Sequence, residues 1–421
     1  MSDRYQGLGM ALLVSLGVVV GGVTPGMANL VQPVIAQATA DEAQQAINEG
    51  TRLFAKQDKE SLRGAIDQFE KALKLSRQSQ LQNLQALALV YLARIHADLG
   101  NPQKALELYN QALLILRAVG ERSGEATTLT SIGLVYSNLG EKQKALGFYN
   151  QALPIQRVVG DRSGEATTLS NIGIVYSALG EQQKALGFYN QALPILRAVG
   201  NRSGEATTLN NIGTVYSALG ENQKALGFYN QALPIFRAVG DRSGEATTLN
   251  NIGIVYSALG ENQKALAFYS QALPIIRAVG NRSGEAGILG NIGNVYSALG
   301  ERQKALDFYS QSLPIFRAVG DRSMEATTLN NIGAVYSALG EKQKALEFYN
   351  QALPIRRSVG DRSGEAATLS NIGAVYSALG EKQKALEFYN QALPISRAVG
   401  DRSGEAAILG KVENWTFKIY D

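Results

Sequence analysis

The chain has 421 residues, with 40 lysines and arginines against 36 aspartates and glutamates, a net charge of only +4 and a hydrophobic fraction of 45%. That fraction is ample for a packed core, while the small, evenly spread charge gives no basic stripe or basic-aromatic cluster of the kind that nucleic acid or an anionic membrane surface selects. The absence of cysteine excludes disulfides and a lipid-modified cysteine, and it is compatible with oxidising and reducing compartments alike.

Residues 1–40 begin with Arg4 in a polar start, continue with an apolar run from Leu8 to Val23 and pass into Pro25, Pro33 and small residues. This is the order of a secretory signal peptide, with candidate cleavage points after Ala28, Ala38 and Ala40. An uncleaved single-span anchor is the alternative, and the run is short for a span. Either way the remainder is expected to face outward, as an exported periplasmic or extracellular protein or one anchored in the inner membrane. Residues 41–85 contain a degenerate copy of the repeat that fills most of the chain, with Gly50, Leu53, Ala65, Phe69 and Ala72 in register apart from a short insertion near Asp58 to Ser61.

From Ala86 to Glu405 the same forty residues are written eight times. In the copy from Ala166 to Glu205, the spacing of Leu169, Ile172, Gly173, Tyr176 and Leu179 predicts an amphipathic first helix. After a break at Gly180 and Glu181, the set Ala185, Leu186, Tyr189, Ala192, Leu193 and Val199 predicts a second. Gly200 supplies a left-handed closing residue, and Asn201 supplies an N-cap for the next helix. Joins this short make consecutive helices antiparallel neighbours. Neither helix can bury its stripe alone, so stacking of successive hairpins must complete the core.

The first copy, Ala86 to Glu125, has His96 where later copies have tyrosine; this sole histidine is read as a packing residue. Asn101 followed by Pro102 marks the start of its second helix. The remaining copies carry a proline inside the second helix: Pro154, Pro194, Pro234, Pro274, Pro314, Pro354 and Pro394. An interior proline costs about 3 kcal/mol. Each buried apolar side chain returns roughly 1.5–3 kcal/mol, so the helix is expected to kink and not to end. Residues 406–421 begin as another first helix, with Leu409 and Val412, but place Glu413 in the glycine slot, so no second helix should come after it. A capping helix or tail is expected there, with a short strand through Trp415, Phe417 and Ile419 as the alternative.

The pattern Leu169-x2-Ile172-Gly173-x2-Tyr176, then Ala185-x3-Tyr189 and Ala192, resembles the tetratricopeptide repeat (TPR) motif, with Leu169 in the family's tryptophan slot. The period of forty, longer than the family's usual repeat, and the "GDRSGEA" join are similar to the TPRs of Pins-type adaptors and, more loosely, kinesin light chain, which bind extended peptide segments. The resemblance implies an all-α, right-handed superhelical solenoid of antiparallel helix pairs, here in an exported bacterial protein.

No nucleophile beside a base, pocketed carboxylate pair or metal cluster is visible. With no cysteine and one histidine in a packing slot, thiol, histidine-triad and ordinary zinc chemistry lack their residues. "GEKQKAL" lacks the ending of a phosphate-binding loop. No enzyme activity or cofactor is therefore expected. Three matches to the glycosylation sequon begin at Asn201, Asn281 and Asn414; aspartate fills the first two slots in other copies, so capping accounts for them.

Binding is another matter. With a buried stripe centred on Tyr176, the residues Thr167, Ser170, Asn171, Ile174, Ser177 and Ala178 point the opposite way at about 100° per residue. By resemblance this face lines the concave groove. Asn171, Asn211, Asn251, Asn291, Asn331 and Asn371 form a ladder along it, although asparagine is a poor residue for a helix interior. Each amide both donates and accepts, as the backbone of an extended peptide requires. Other slots read as exposed have drifted: Gly147 becomes Ala267, Asp307 and Glu347, and Gln156 becomes Phe236, Arg356 and Ser396. A variable groove slot, Ile174, Thr214, Ile254 and Asn294, is a candidate for specificity. Arg162, Arg202, Arg242, Arg282, Arg322 and Arg362 are either contacts for an acidic partner or solvated pairs with the glutamate three residues on.

The sequence thus points to a non-enzymatic scaffold for an extended segment of a protein partner, without nucleic acid, and with membrane contact only through an uncleaved amino-terminal segment. A structural spacer or self-assembling rod in the cell envelope is the alternative.

Overall fold

The computed structural model describes residues 31–416 apart from Gln57, and all nineteen of its elements are α-helices. The apolar run expected to be a leader lies outside the described residues. No described helix is long and apolar enough to cross a membrane. The chain divides into two compact units, one through Ile235 and one from Phe236. Within each, helices pair into hairpins that stack on their chain neighbours.

The expected helix boundaries are met, and the local cause is the same at the joins between repeats from Glu121 onward. Asp161 Oδ1 accepts the Gly164 N–H at 2.8 Å, and Asn201 Oδ1 that of Gly204 at 2.9 Å. Gly160, at φ 74°, ends the preceding helix in the left-handed region that a side chain would strain. The helix Pro102–Val119 starts where its proline placed it, though Asn101 makes no side-chain cap bond. Lys142–Val159 runs unbroken through Pro154, and this proline is exposed, on the side of the helix away from its buried Ala152 and Ile155. The carbonyl that the ring deprives of a donor is therefore within reach of water.

One contact sets the distance between the two helices of each repeat from Ala126 onward; the copy before them has Ala93 in the glycine slot, with Tyr109 buried all the same. Tyr189 is fully buried with its ring on Gly173, where an added Cβ would lie 2.6 Å from Cε1, and the pairs Gly133–Tyr149 and Gly333–Tyr349 repeat the arrangement. In the first hairpin, Val31–Phe54 against Lys59–Gln78, Gly50 and Phe69 take the same parts. The closing helix, Arg402–Thr416, excludes the strand alternative through Thr416; residues 417–421 lie outside the described residues.

Two expectations require correction. The buried stripe of the first helix is centred on Leu169, Ile172 and Val175, with Ala166 and Thr168 also buried, and not on Tyr176. Tyr176 is half-buried and stacks on Phe188 at 5.4 Å, with Lys184 Nζ 5.2 Å from its ring centroid. The slot of Gln156, Phe236, Arg356 and Ser396 is buried, so its variation reflects how the interior is filled and says nothing about exposed positions.

The core makes two outcomes measurable. Gly173→Ala should destabilise the full chain by about 1–3 kcal/mol through overpacking. Gly187→Ala, with nothing within 4 Å of the added carbon, should stabilise it by about 0.5–1 kcal/mol; urea unfolding reads both. Burial pushes the phenols of Tyr309 and Tyr349 from 10.0 up to about 12. The unfolded chain releases these protons at lower pH than the folded one. The tyrosines' contribution is therefore fully present below pH 10, falls as pH rises and is gone above about 12. Circular dichroism should show helix loss in that interval, together with the buried tyrosines' phenolate absorbance.

Candidate functional site

The face of each first helix turned away from the core carries the residues expected of a groove. In the first compact unit Asn171, Asn211 and Ile174 are half-buried and Thr214 is exposed. In the second, Asn251, Asn291, Asn331 and Asn371 are half-buried, while Asn294 and Ile254, the latter 40% exposed, stand further into solvent. The correction to the buried stripe places the asparagines on the flank of this face, because Val175 lies one turn beyond Asn171, about 40° round the helix, while Ile174 stays opposite the stripe.

The amides differ between the units in what they already bind. In the second unit Asn291 Nδ2 donates to Asn250 Oδ1 at 3.0 Å, Asn331 Nδ2 to Asn294 Oδ1 at 3.0 Å and Asn371 Nδ2 to Asn330 Oδ1 at 3.2 Å. Each bond ties a repeat to the one before it. An amide has two donor hydrogens and two acceptor lone pairs, so each of these asparagines keeps one N–H and its carbonyl unspent. In the first unit hydroxyls make the link instead, through Thr130 and Thr168 at 3.0 Å and Ser170 and Thr208 at 3.3 Å. Among the described residues the amides of Asn171 and Asn211 make no hydrogen bond.

A second set of polar atoms on this face is invisible to sequence reasoning. The core tyrosine passes over the glycine and brings its hydroxyl to the variable slot: Tyr309 donates to Asn294 Oδ1 at 2.6 Å and Tyr229 to Thr214 Oγ1 at 3.3 Å. Asn294 Oδ1 is thereby spent on two donors, leaving its N–H2 to face outward. Thr214 is further fixed by donating to the Asn210 carbonyl at 3.1 Å.

The arginines offered as contacts for an acidic partner are engaged within the chain. Glu165, only 3% exposed, takes Arg162 on one carboxylate oxygen and Arg157 Nε at 2.8 Å on the other. The same carboxylate with two arginines recurs at Glu205, Glu245, Glu285, Glu325 and Glu365, which places Arg202, Arg242, Arg282, Arg322 and Arg362 in ion pairs. The pairing across three residues is the one that spacing suggests; the second arginine, arriving from the preceding helix, is not. A buried carboxylate requires such partners, and the join between hairpins is where these charges act.

Comparison with known proteins agrees with this architecture. No curated protein matches the sequence. Among solved structures, the apo form of the quorum sensor NprR from B. thuringiensis aligns with a TM-score of 0.63 at 16% identity, over 86% of this chain and 99% of that one. A STAND protein with a tetratricopeptide repeat sensor from Pyrococcus horikoshii aligns with a TM-score of 0.62 at 14% identity, over 92% and 68%. A Rap protein complexed with competence and sporulation factor aligns with a TM-score of 0.56 at 16% identity, over 86% and 99%. At such identities the likeness is one of fold. The tetratricopeptide repeat family model matches residues 84–158, 155–198, 204–278, 284–358 and 355–398, most of the chain, which therefore belongs to the tetratricopeptide repeat family.

Proposed function

We propose that this protein is a non-enzymatic scaffold that holds an extended segment of a protein partner along the exposed face of its first helices. The observation that carries the reading is the row of half-buried asparagines, in which the amides of Asn171, Asn211, Asn291, Asn331 and Asn371 retain both a donor and an acceptor. An extended backbone offers the complementary groups, N–H and C=O in alternation, at a spacing that a row of fixed amides engages without regard to side-chain identity. Variable neighbours such as Ile174, Thr214, Ile254 and Asn294 then supply preference among segments. The Rap protein solved with competence and sporulation factor lends support by fold alone.

Export belongs to the same reading. The apolar run from Leu8 to Val23 supports a cleaved leader, and the first buried side chain among the described residues is Ala43. Cleavage after Ala28, Ala38 or Ala40 would therefore leave the core whole.

Two substitutions of identical chemistry separate binding from stability. Asn331→Ala removes the bond to Asn294 and should leave the chain about 1 kcal/mol less stable in urea unfolding than Asn211→Ala does, since the gain in helix propensity is common to both. The double variant Asn171→Ala, Asn211→Ala should keep its helical circular dichroism yet lose most of its capture of partners from the cell envelope fraction of the source organism. Capture undiminished in that variant would reject the reading.

A further inference from the structure

The first residue of each second helix changes in chemistry along the array: Lys142, then Gln182, Asn222 and Asn262, then Arg302, Lys342 and Lys382. Where its side chain is bonded, it folds back onto the end of the first helix. Lys342 Nζ donates to the Ser337 carbonyl at 2.8 Å, and Gln182 bonds both the hydroxyl and the carbonyl of Ser177 at 3.4 Å. Ser177 and Ser337 occupy equivalent places on the candidate binding face, so this slot forms one margin of it. In the second compact unit three consecutive repeats thus place a cation at that margin. Among the described residues none of the three takes part in an ion pair, whereas the lysine two residues on is paired in each of these repeats, as Lys344 is with Glu341.

Composition conceals this row. The same three repeats carry Asp307, Glu347 and Glu387, exposed on the outer side of the same helices. Five residues correspond to roughly 140° of helical rotation. Each repeat is therefore close to neutral while its two sides differ in sign. The binding face itself bears uncharged amides, hydroxyls and small apolar groups with no aromatic ring at the surface slots on which bases would stack, which argues for a polypeptide over a nucleic acid.

Building on the proposed scaffold function, we infer that the face spanning the last three complete repeats takes an acidic polypeptide segment, its carboxylates engaging Arg302, Lys342 and Lys382 while its backbone lies on the amides of Asn291, Asn331 and Asn371. The amide bonds between successive first helices show that these helices are neighbours, at about 8–10 Å. An extended chain advances about 3.3 Å per residue, so the matching segment has a carboxylate at about every third position.

The test uses the full chain and a fluorescein-labelled peptide with glutamate at every third position among serine and alanine, beside the same peptide with glutamine. Binding is read by anisotropy at low and physiological salt. The acidic peptide should bind about tenfold more tightly than its neutral counterpart, by the sum of three exposed charge contacts, and lose that margin as salt rises. The triple variant Arg302→Gln, Lys342→Gln, Lys382→Gln should abolish the preference while keeping helical circular dichroism and binding of the neutral peptide. The control Ser310→Asp, Asn350→Asp, Asn390→Asp changes net charge equally on the outer side and should preserve the preference. Equal binding of both peptides overturns the inference and leaves the scaffold reading standing; failure of both peptides to bind overturns the two together. A preference that survives the triple variant, or that falls equally in the control, overturns the assignment to this margin. Stronger retention of a single-stranded oligonucleotide, lost in the triple variant, overturns the polypeptide as occupant.

Discussion

A tyrosine ring lying flat on a glycine is the contact on which the rest of this protein depends. In the repeats from Ala126 onward it brings the two helices of the hairpin so close that a side chain in the glycine slot would have to displace the ring, and it is made by Tyr149, Tyr189, Tyr229, Tyr269, Tyr309 and Tyr389, all fully buried. The close approach also lets the phenol reach through to the far side of the first helix, where its hydroxyl braces Thr214 and Asn294. The core residue that determines packing is thus, at Tyr229 and Tyr309, also the residue that orients the exposed face of the first helix. Displacing the ring would disturb the core and this face at once, which accounts for glycine beneath each of these rings despite its entropic cost in a helix.

Between hairpins the dominant interaction changes from dispersion to charge. A glutamate with almost no solvent access sits between an arginine from the helix before the join and one from the helix after it. The arginines remain half exposed, so only the carboxylate bears the full desolvation cost, and two guanidiniums offset it. One buried slot nearby accepts leucine, isoleucine, phenylalanine, glutamine, serine or arginine. Arg356 there pairs with Asp361 and donates to Thr327 Oγ1 at 3.3 Å. Such tolerance shows that the join is fixed by its ion pairs and caps, with the adjoining slot filling space.

Much of this is legible in the sequence because repetition multiplies weak signals. Helix limits, caps, the glycine slot and the outward asparagines each recur with the period, so each is read several times over. What the sequence hides has identifiable causes. Val175 and Tyr176 are adjacent, so periodicity alone cannot say which of them centres the stripe. Gln156 and Arg356 are polar, and polar identity masks their burial. Arg157 and Glu165 lie eight residues apart across a left-handed glycine, where helical periodicity no longer applies. The bonds from Tyr309 to Asn294 and from Asn371 to Asn330 join residues of different helices, and no spacing rule for a single element foresees them.

Because the hairpins from Ala126 onward meet their neighbours through the same glutamate and the same cap, those joints are interchangeable. Excision or duplication of one of these forty-residue modules would leave each remaining glutamate and cap with its partners, and the energetic effect would be that of one module plus one interface. Unequal recombination within the gene can therefore change copy number without passing through a misfolded intermediate. The array is free to lengthen or shorten, and selection on its length is separated from selection on foldability.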